Sequence, residues 1–174
     1  KQIKKAYLNG KASAESLELK SLKTPALDVG TIMKILPHRF PFLLVDRILT
    51  FVPRQRVAGI KNVTVNEPFF QGHWPSVPVM PGVLVIEVMA QVSSLLVLNG
   101  QKEARQDEPR PLACLLGIDR ARFHTRIVPG DRITVEAEMA QVKHETFKVK
   151  AVARVDGNTA AEAELLFGLL NEPS

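Results

Sequence analysis

Pro81-Gly82-Val83-Leu84-Val85-Ile86-Glu87-Val88-Met89-Ala90-Gln91-Val92-Ser93-Ser94-Leu95-Leu96-Val97-Leu98-Asn99 is the stretch around which the rest of the chain has to be arranged. It predicts one long helix. Pro81 suits the first helical position, where its fixed φ helps and its missing N–H is no loss, and Gly100 is placed to close the helix in a left-handed cap. Apolar side chains fall in nearly every direction about the axis, so the helix is predicted to be buried. The interruptions Glu87, Gln91 and Ser94 recur at i, i+4 and i+7 and form a single polar stripe. A carboxylate in such a setting costs free energy unless it has a partner or a task.

Working outward, no Ser, Thr, Asp or Asn precedes the helix at the cap position, which the spacing assigns to Met80. The first backbone N–H groups, Gly82 among them, therefore lack a side-chain acceptor and leave a positive helix end open to an oxygen ligand. His73 stands upstream in a run stiffened by Pro75, Pro78 and Pro81. A base, a buried acid and a vacant oxyanion position would then come from one segment. That is the equipment for removing a proton α to a carbonyl and expelling a β-hydroxyl. Read without this context, His73 is a loop histidine bonded to backbone, and Trp74 is a wall of the turn.

Composition narrows the function classes. A chain of 174 residues with 45% hydrophobic content is long enough for one globular domain with a proper core. The single cysteine, Cys114, excludes an internal disulfide framework and fits a reducing cytosol. His38, His73, His124 and His144 are scattered with no second cysteine and no HxxxH pair, so no metal site is expected. Glu87, Gln91, Ser93 and Ser94 near the middle of the long helix make a membrane span unfavourable, and the first residues of the sequence lack the apolar region expected of a secretory signal. The net charge of +5 favours an acidic partner, but no basic run interleaved with aromatics points to nucleic acid.

In chain order, residues 1–27 read as a polar linker or extension, and 28–174 as one domain. Asp28 is placed to cap a short helix, Val29 to Leu36, stopped by Pro37. His38 follows in a Pro-bounded loop, and with no acid or open helix end attached to it, it carries no catalytic expectation. Phe42 to Val52 reads as a strand and Arg56 to Val65 as its hairpin partner. Gln101 to Pro111 reads as a solvated connector, and Leu112 to Phe123 as the next strand. Ile133, Val135, Ala137 and Met139 alternate with polar neighbours, as do Phe147, Val149, Ala151, Ala153 and Val155. Asp156-Gly157 predicts a tight hairpin into Ala161, Ala163, Leu165, Phe167 and Leu169. The expected architecture is α+β, with five or six antiparallel strands wrapped around one long central helix.

The run N-E-P-F-F-Q-G-H-W-P-S-V-P-V-M-P-G-V-L-V-I-E-V-M-A-Q resembles the active-site segment of the FabZ-type (3R)-hydroxyacyl-acyl-carrier-protein dehydratases. Leu36-Pro37-His38-Arg39-Phe40-Pro41-Phe42-Leu43-Leu44-Val45-Asp46-Arg47 upstream resembles a further block of that family. So do Gly117-Ile118-Asp119-Arg120-Ala121-Arg122-Phe123 and Val128-Pro129-Gly130-Asp131 downstream. Together these cover roughly residues 28 to 170. The resemblance implies a hot-dog fold and reversible dehydration of an acyl-carrier-protein-bound 3-hydroxyacyl group in fatty acid synthesis, without a cofactor.

Residue by residue, the resemblance maps the catalytic pair onto His73 and Glu87, with the Gly82 N–H holding the thioester oxygen and the Val79 carbonyl orienting the imidazole. It implies a homodimer in which His73 of one subunit meets Glu87 of the other, and in some members a trimer of dimers. Glu rather than Asp at 87 favours dehydration without double-bond isomerisation, while Cys114 stands where some relatives carry a gating Tyr. Arg120, Arg122 and Arg126 fall where relatives present a basic rim to the acidic carrier protein. Some members are fused behind a deacetylase, and a polar lead like residues 1–27 would suit such a junction. Two other readings stay open: a hot-dog thioesterase using a similar helix and carboxylate to activate water, and a non-catalytic acyl-binding protein.

Overall fold

The computed structural model describes residues 26–98 and 111–170. The Gly100 cap, the 101–110 connector and residues 1–25 expected as linker lie outside the described residues. Helix α1 spans Val29–Ile35, and the Asp28 carboxylate accepts the Thr31 N–H at 2.8 Å as the cap spacing predicts. Just ahead of it, Leu27 and Ile48 exchange two backbone hydrogen bonds. Six strands follow: β1 (Arg47–Val52), β2 (Arg56–Asn62), β3 (Leu112–Phe123), β4 (Arg132–Lys143), β5 (Thr146–Val155) and β6 (Asn158–Leu170). A 3-10 turn, Pro68–Gln71, and helix α2, Gly82–Leu98, lie between β2 and β3.

The strands form one antiparallel sheet in the order β1-β2-β4-β5-β6-β3. Alternation along β4, β5 and β6 puts Ile133, Val135, Ala137, Val149, Ala151, Ala153, Leu165 and Phe167 on the inner face. That face curls around α2, whose Val88, Met89, Val92, Leu95 and Leu96 are fully buried. Each such side chain contributes roughly 1.5–3 kcal/mol by leaving water. The β5–β6 hairpin closes through Asp156 (φ 49°) and Gly157 (φ 79°), two successive left-handed residues, as a tight two-residue loop of this twist requires.

Two boundaries differ from the sequence reading. Helix α2 starts at Gly82 rather than Pro81. Pro81 occupies the cap position instead of Met80, and its carbonyl accepts the N–H groups of Leu84 and Val85 at 2.9 and 3.2 Å. The first strand begins at Arg47, not Phe42. The Phe42 and Leu43 N–H groups are spent in a turn on the Arg39 carbonyl, and the Leu44 N–H goes to the Gln91 side chain, so no ladder forms before Asp46. Likewise β2 ends at Asn62, after which Val63 bonds Gly130 and Asp131 in the loop before β4.

Candidate active site

The segment between β2 and α2 is short of regular hydrogen bonds, and the ones it makes place His73. The 3-10 turn hands the Phe69 carbonyl to the His73 N–H at 2.8 Å, and Met80 is fixed by its N–H to the Ile127 carbonyl at 2.8 Å. Between these two anchors, His73 Nδ1 lies 2.7 Å from the Val79 carbonyl oxygen. A carbonyl only accepts, so Nδ1 carries the hydrogen, which in the neutral ring makes Nε2 the nitrogen with the lone pair. Trp74, held at φ 51°, stacks on the imidazole with ring centroids 4.5 Å apart and 19° between planes. A left-handed backbone is unusual for so bulky a residue.

His73 and Trp74 line a cavity of about 350 Å³ whose other walls include Gly82, Phe123, Arg126 and Ala161. The start of α2 opens onto it. Pro81 has taken the Leu84 and Val85 N–H groups, and those of Gly82 and Val83 have no acceptor among the described residues. Two free donors at the positive end of a 17-residue helix, next to an imidazole, can hold a negative oxygen while the imidazole takes a proton.

Glu87 is not in that cavity's wall. Its carboxylate, half-buried on the side of α2, accepts from Gln91 Nε2 at 2.7 Å and lies 3.4 Å from His38 Nε2. The surroundings are therefore not purely apolar, as the helix pattern alone had implied. The polar stripe is real, but it is completed from outside the helix. Gln91, 1% exposed, also donates to the Phe42 carbonyl at 2.6 Å and accepts the Leu44 N–H at 2.9 Å. Ser94, further along the same face, is buried.

His38 is the residue the sequence reading passed over. The sequence attaches no acid to it, yet the loop 36–46 folds over α2 and delivers it to Glu87, 49 positions away in the chain. The only local signal was the Pro37 and Pro41 bracket that stiffens this loop. Of the basic rim, Arg120 is engaged by Glu164 at 2.6 Å, and Glu164 also meets Lys148 at 3.0 Å. Arg122 and Arg126 form no ion pair among the described residues, and Arg126 borders the His73 cavity. Cys114 is partly exposed on β3. No helix among the described residues is long and apolar enough to cross a membrane.

Comparison with known proteins places these features. Residues 36–164 match the model of the FabA-like domain. The chain is 50% identical over 144 residues to the 3-hydroxyacyl-[acyl-carrier-protein] dehydratase FabZ of Anaeromyxobacter sp. (strain K), covering 83% of this chain and 91% of that protein. It is 51% identical over 143 residues to the protein of the same name from Desulforamulus reducens, covering 82% and 97%. Among solved structures, a chain of the dehydratase heterocomplex ApeI:P from Xenorhabdus doucetiae superposes with a TM-score of 0.65 at 18% identity, over 81% of this chain and 91% of that one. A hot-dog-like protein from Thermanaerovibrio acidaminovorans gives 0.56 at 13% identity, over 70% and 85%. The six-stranded sheet curled around α2 is thus a hot-dog fold, and the chain belongs to the 3-hydroxyacyl-[acyl-carrier-protein] dehydratase family.

Proposed function

We propose that this protein catalyses the reversible dehydration of (3R)-3-hydroxyacyl-acyl-carrier-protein to the trans-2-enoyl thioester, in the cytoplasm, as a step of type II fatty acid synthesis. The observation that carries the reading is the His73–Val79 hydrogen bond beside the open start of α2, which leaves Nε2 to act as a base in the cavity that Gly82 also lines. His73 Nε2 takes the proton from C2, and the electron pair of that bond moves toward the thioester carbonyl, whose oxygen the Gly82 N–H holds. The C3–O bond then breaks as the C2–C3 double bond forms, and the hydroxyl leaves as water with a proton supplied by Glu87, directly or through a bridging water.

Glu87 serves this site from the partner subunit in the proposal. Within one chain it borders His38 and Gln91 rather than the His73 cavity. The sheet edge β3 carries exposed Leu116, Ile118 and Phe123, and Val83 at the start of α2 is 75% exposed. An unpaired apolar edge of this length favours a symmetric contact with a second copy.

The test is the ultraviolet absorbance of short enoyl thioesters mixed with purified protein, with free thiol monitored in parallel. Reversible loss of the enoyl signal without thiol, abolished in His73→Ala and Glu87→Gln, is the expected result. Stoichiometric thiol release would replace the reading with a thioesterase, and unchanged thioester with a binding protein.

A further inference from the structure

We propose that His38 is a positioning residue for Glu87, which together with Gln91 fixes one carboxyl oxygen and confines the transferable proton to the other; this rests on the dehydratase reading above. The argument begins with Gln91. Its Oε1 accepts from the Leu44 N–H and its Nε2 donates to the Phe42 carbonyl, so the backbone fixes which end of the amide is which. The remaining Nε2 hydrogen points at Glu87 Oε1, 2.7 Å away. That oxygen is consequently an acceptor in either protonation state of Glu87.

His38 adds a second constraint on the same atom. Its Nε2 is 3.4 Å from Glu87 Oε1, longer than an ordinary N–H···O bond but close enough to tighten when a substrate closes the site. Its Nδ1 is sealed from solvent and has no hydrogen-bond partner, and its ring is stacked beside Phe42 at 6.2 Å between centroids. A buried N–H without an acceptor costs more than an unmet lone pair. The neutral imidazole is therefore held as the Nε2–H tautomer. Two donors then converge on Oε1, and only Oε2 is free to carry and deliver a proton to the departing hydroxyl.

The glutamine and alanine variants of His38 separate this role from a packing one, because the glutamine amide can place a donor near the imidazole Nε2 position. His38→Ala is expected to lower kcat at least about tenfold with KM changed less than about twofold, and His38→Gln to recover most of the loss. An active wild type with His38→Ala unaffected, or with His38→Gln no better than His38→Ala, would overturn the inference alone. An inactive wild type would overturn the dehydratase reading and the inference with it. Independently of activity and of variant folding, the ¹⁵N spectrum of the wild-type protein should show His38 protonated on Nε2; an Nδ1–H tautomer would overturn it.

Discussion

Gly82 and Phe123 stand so close that a Cβ on residue 82 would lie 3.0 Å from Phe123 Cε1. The contact ties the first residue of α2 to the end of β3, both of them walls of the His73 cavity. Because the nearest atoms belong to an aromatic side chain and not to backbone, the ring can shift rather than force the helix to move. Gly82→Ala should therefore cost little stability but crowd the cavity beside the Gly82 N–H with the new methyl group and the displaced ring. We expect kcat to fall about 10- to 100-fold, with a melting temperature near that of the wild type. Parallel rate and melting measurements on the variant check it.

Gly59 on β2 is the opposite case. A Cβ there would meet Ile48 Cδ1 at 2.8 Å, Val92 Cγ2 at 3.0 Å and the Arg47 carbonyl oxygen at 3.2 Å. Backbone and a fully buried helix residue cannot both give way. Gly59→Ala should destabilise the fold by about 1–3 kcal/mol. Urea unfolding with an unchanged m-value would show that the cost is one of packing between α2 and the sheet.

Much of the fold was legible because its signals are local. The unbroken apolar stretch of α2, the period-two alternation of β4 to β6, the Asp156-Gly157 turn and the Asp28 cap each depend on residues within a few positions of one another. Where the chain is stabilised by distant partners, the pattern misled. Phe42 to Asp46 has the apolar content of a strand, but the N–H groups of Phe42, Leu43 and Leu44 are claimed by Arg39 and by Gln91 of α2. The meeting of His38 with Glu87 has the same origin. Nothing near His38 in sequence advertises an acid, and only the packing of its loop over α2 supplies one. The candidate base was easier to find, since the Val79 carbonyl that holds His73 is only six residues away.

Arg122 and Arg126 have no ion-pair partner among the described residues, whereas Arg120 is engaged by Glu164. Charges left unpaired at the mouth of a site act mainly on the encounter with a partner of opposite sign. Arg122→Glu with Arg126→Glu should raise KM for the carrier-protein substrate and weaken its dependence on salt. KM for a small thioester mimic lacking the carrier protein should change far less. Equal effects on both substrates would count against docking at this rim.

Glu164 also sets an acid limb of stability. The Lys148 ammonium, and beyond it the Arg120 guanidinium, hold its carboxyl below the usual carboxylate value of 4.5. A carboxyl more acidic in the folded chain than in the unfolded one stabilises the fold fully above that unfolded value, and the contribution disappears as pH falls through the depressed folded value. Glu164→Gln should flatten the decline in unfolding free energy below pH 4.5 while leaving its shape near neutrality unchanged. Denaturant titrations of both proteins across the acid range decide it.

The central claim is that His73 of one subunit works with Glu87 of the other, and enoyl-thioester absorbance in a mixture of two inactive variants tests it most directly. His73→Ala and Glu87→Gln, unfolded and refolded together, form mixed dimers in which one of the two shared sites has both groups intact. Random pairing should restore about a quarter of the wild-type rate, while either variant refolded alone stays inactive. A mixture as inactive as its components would contradict the account.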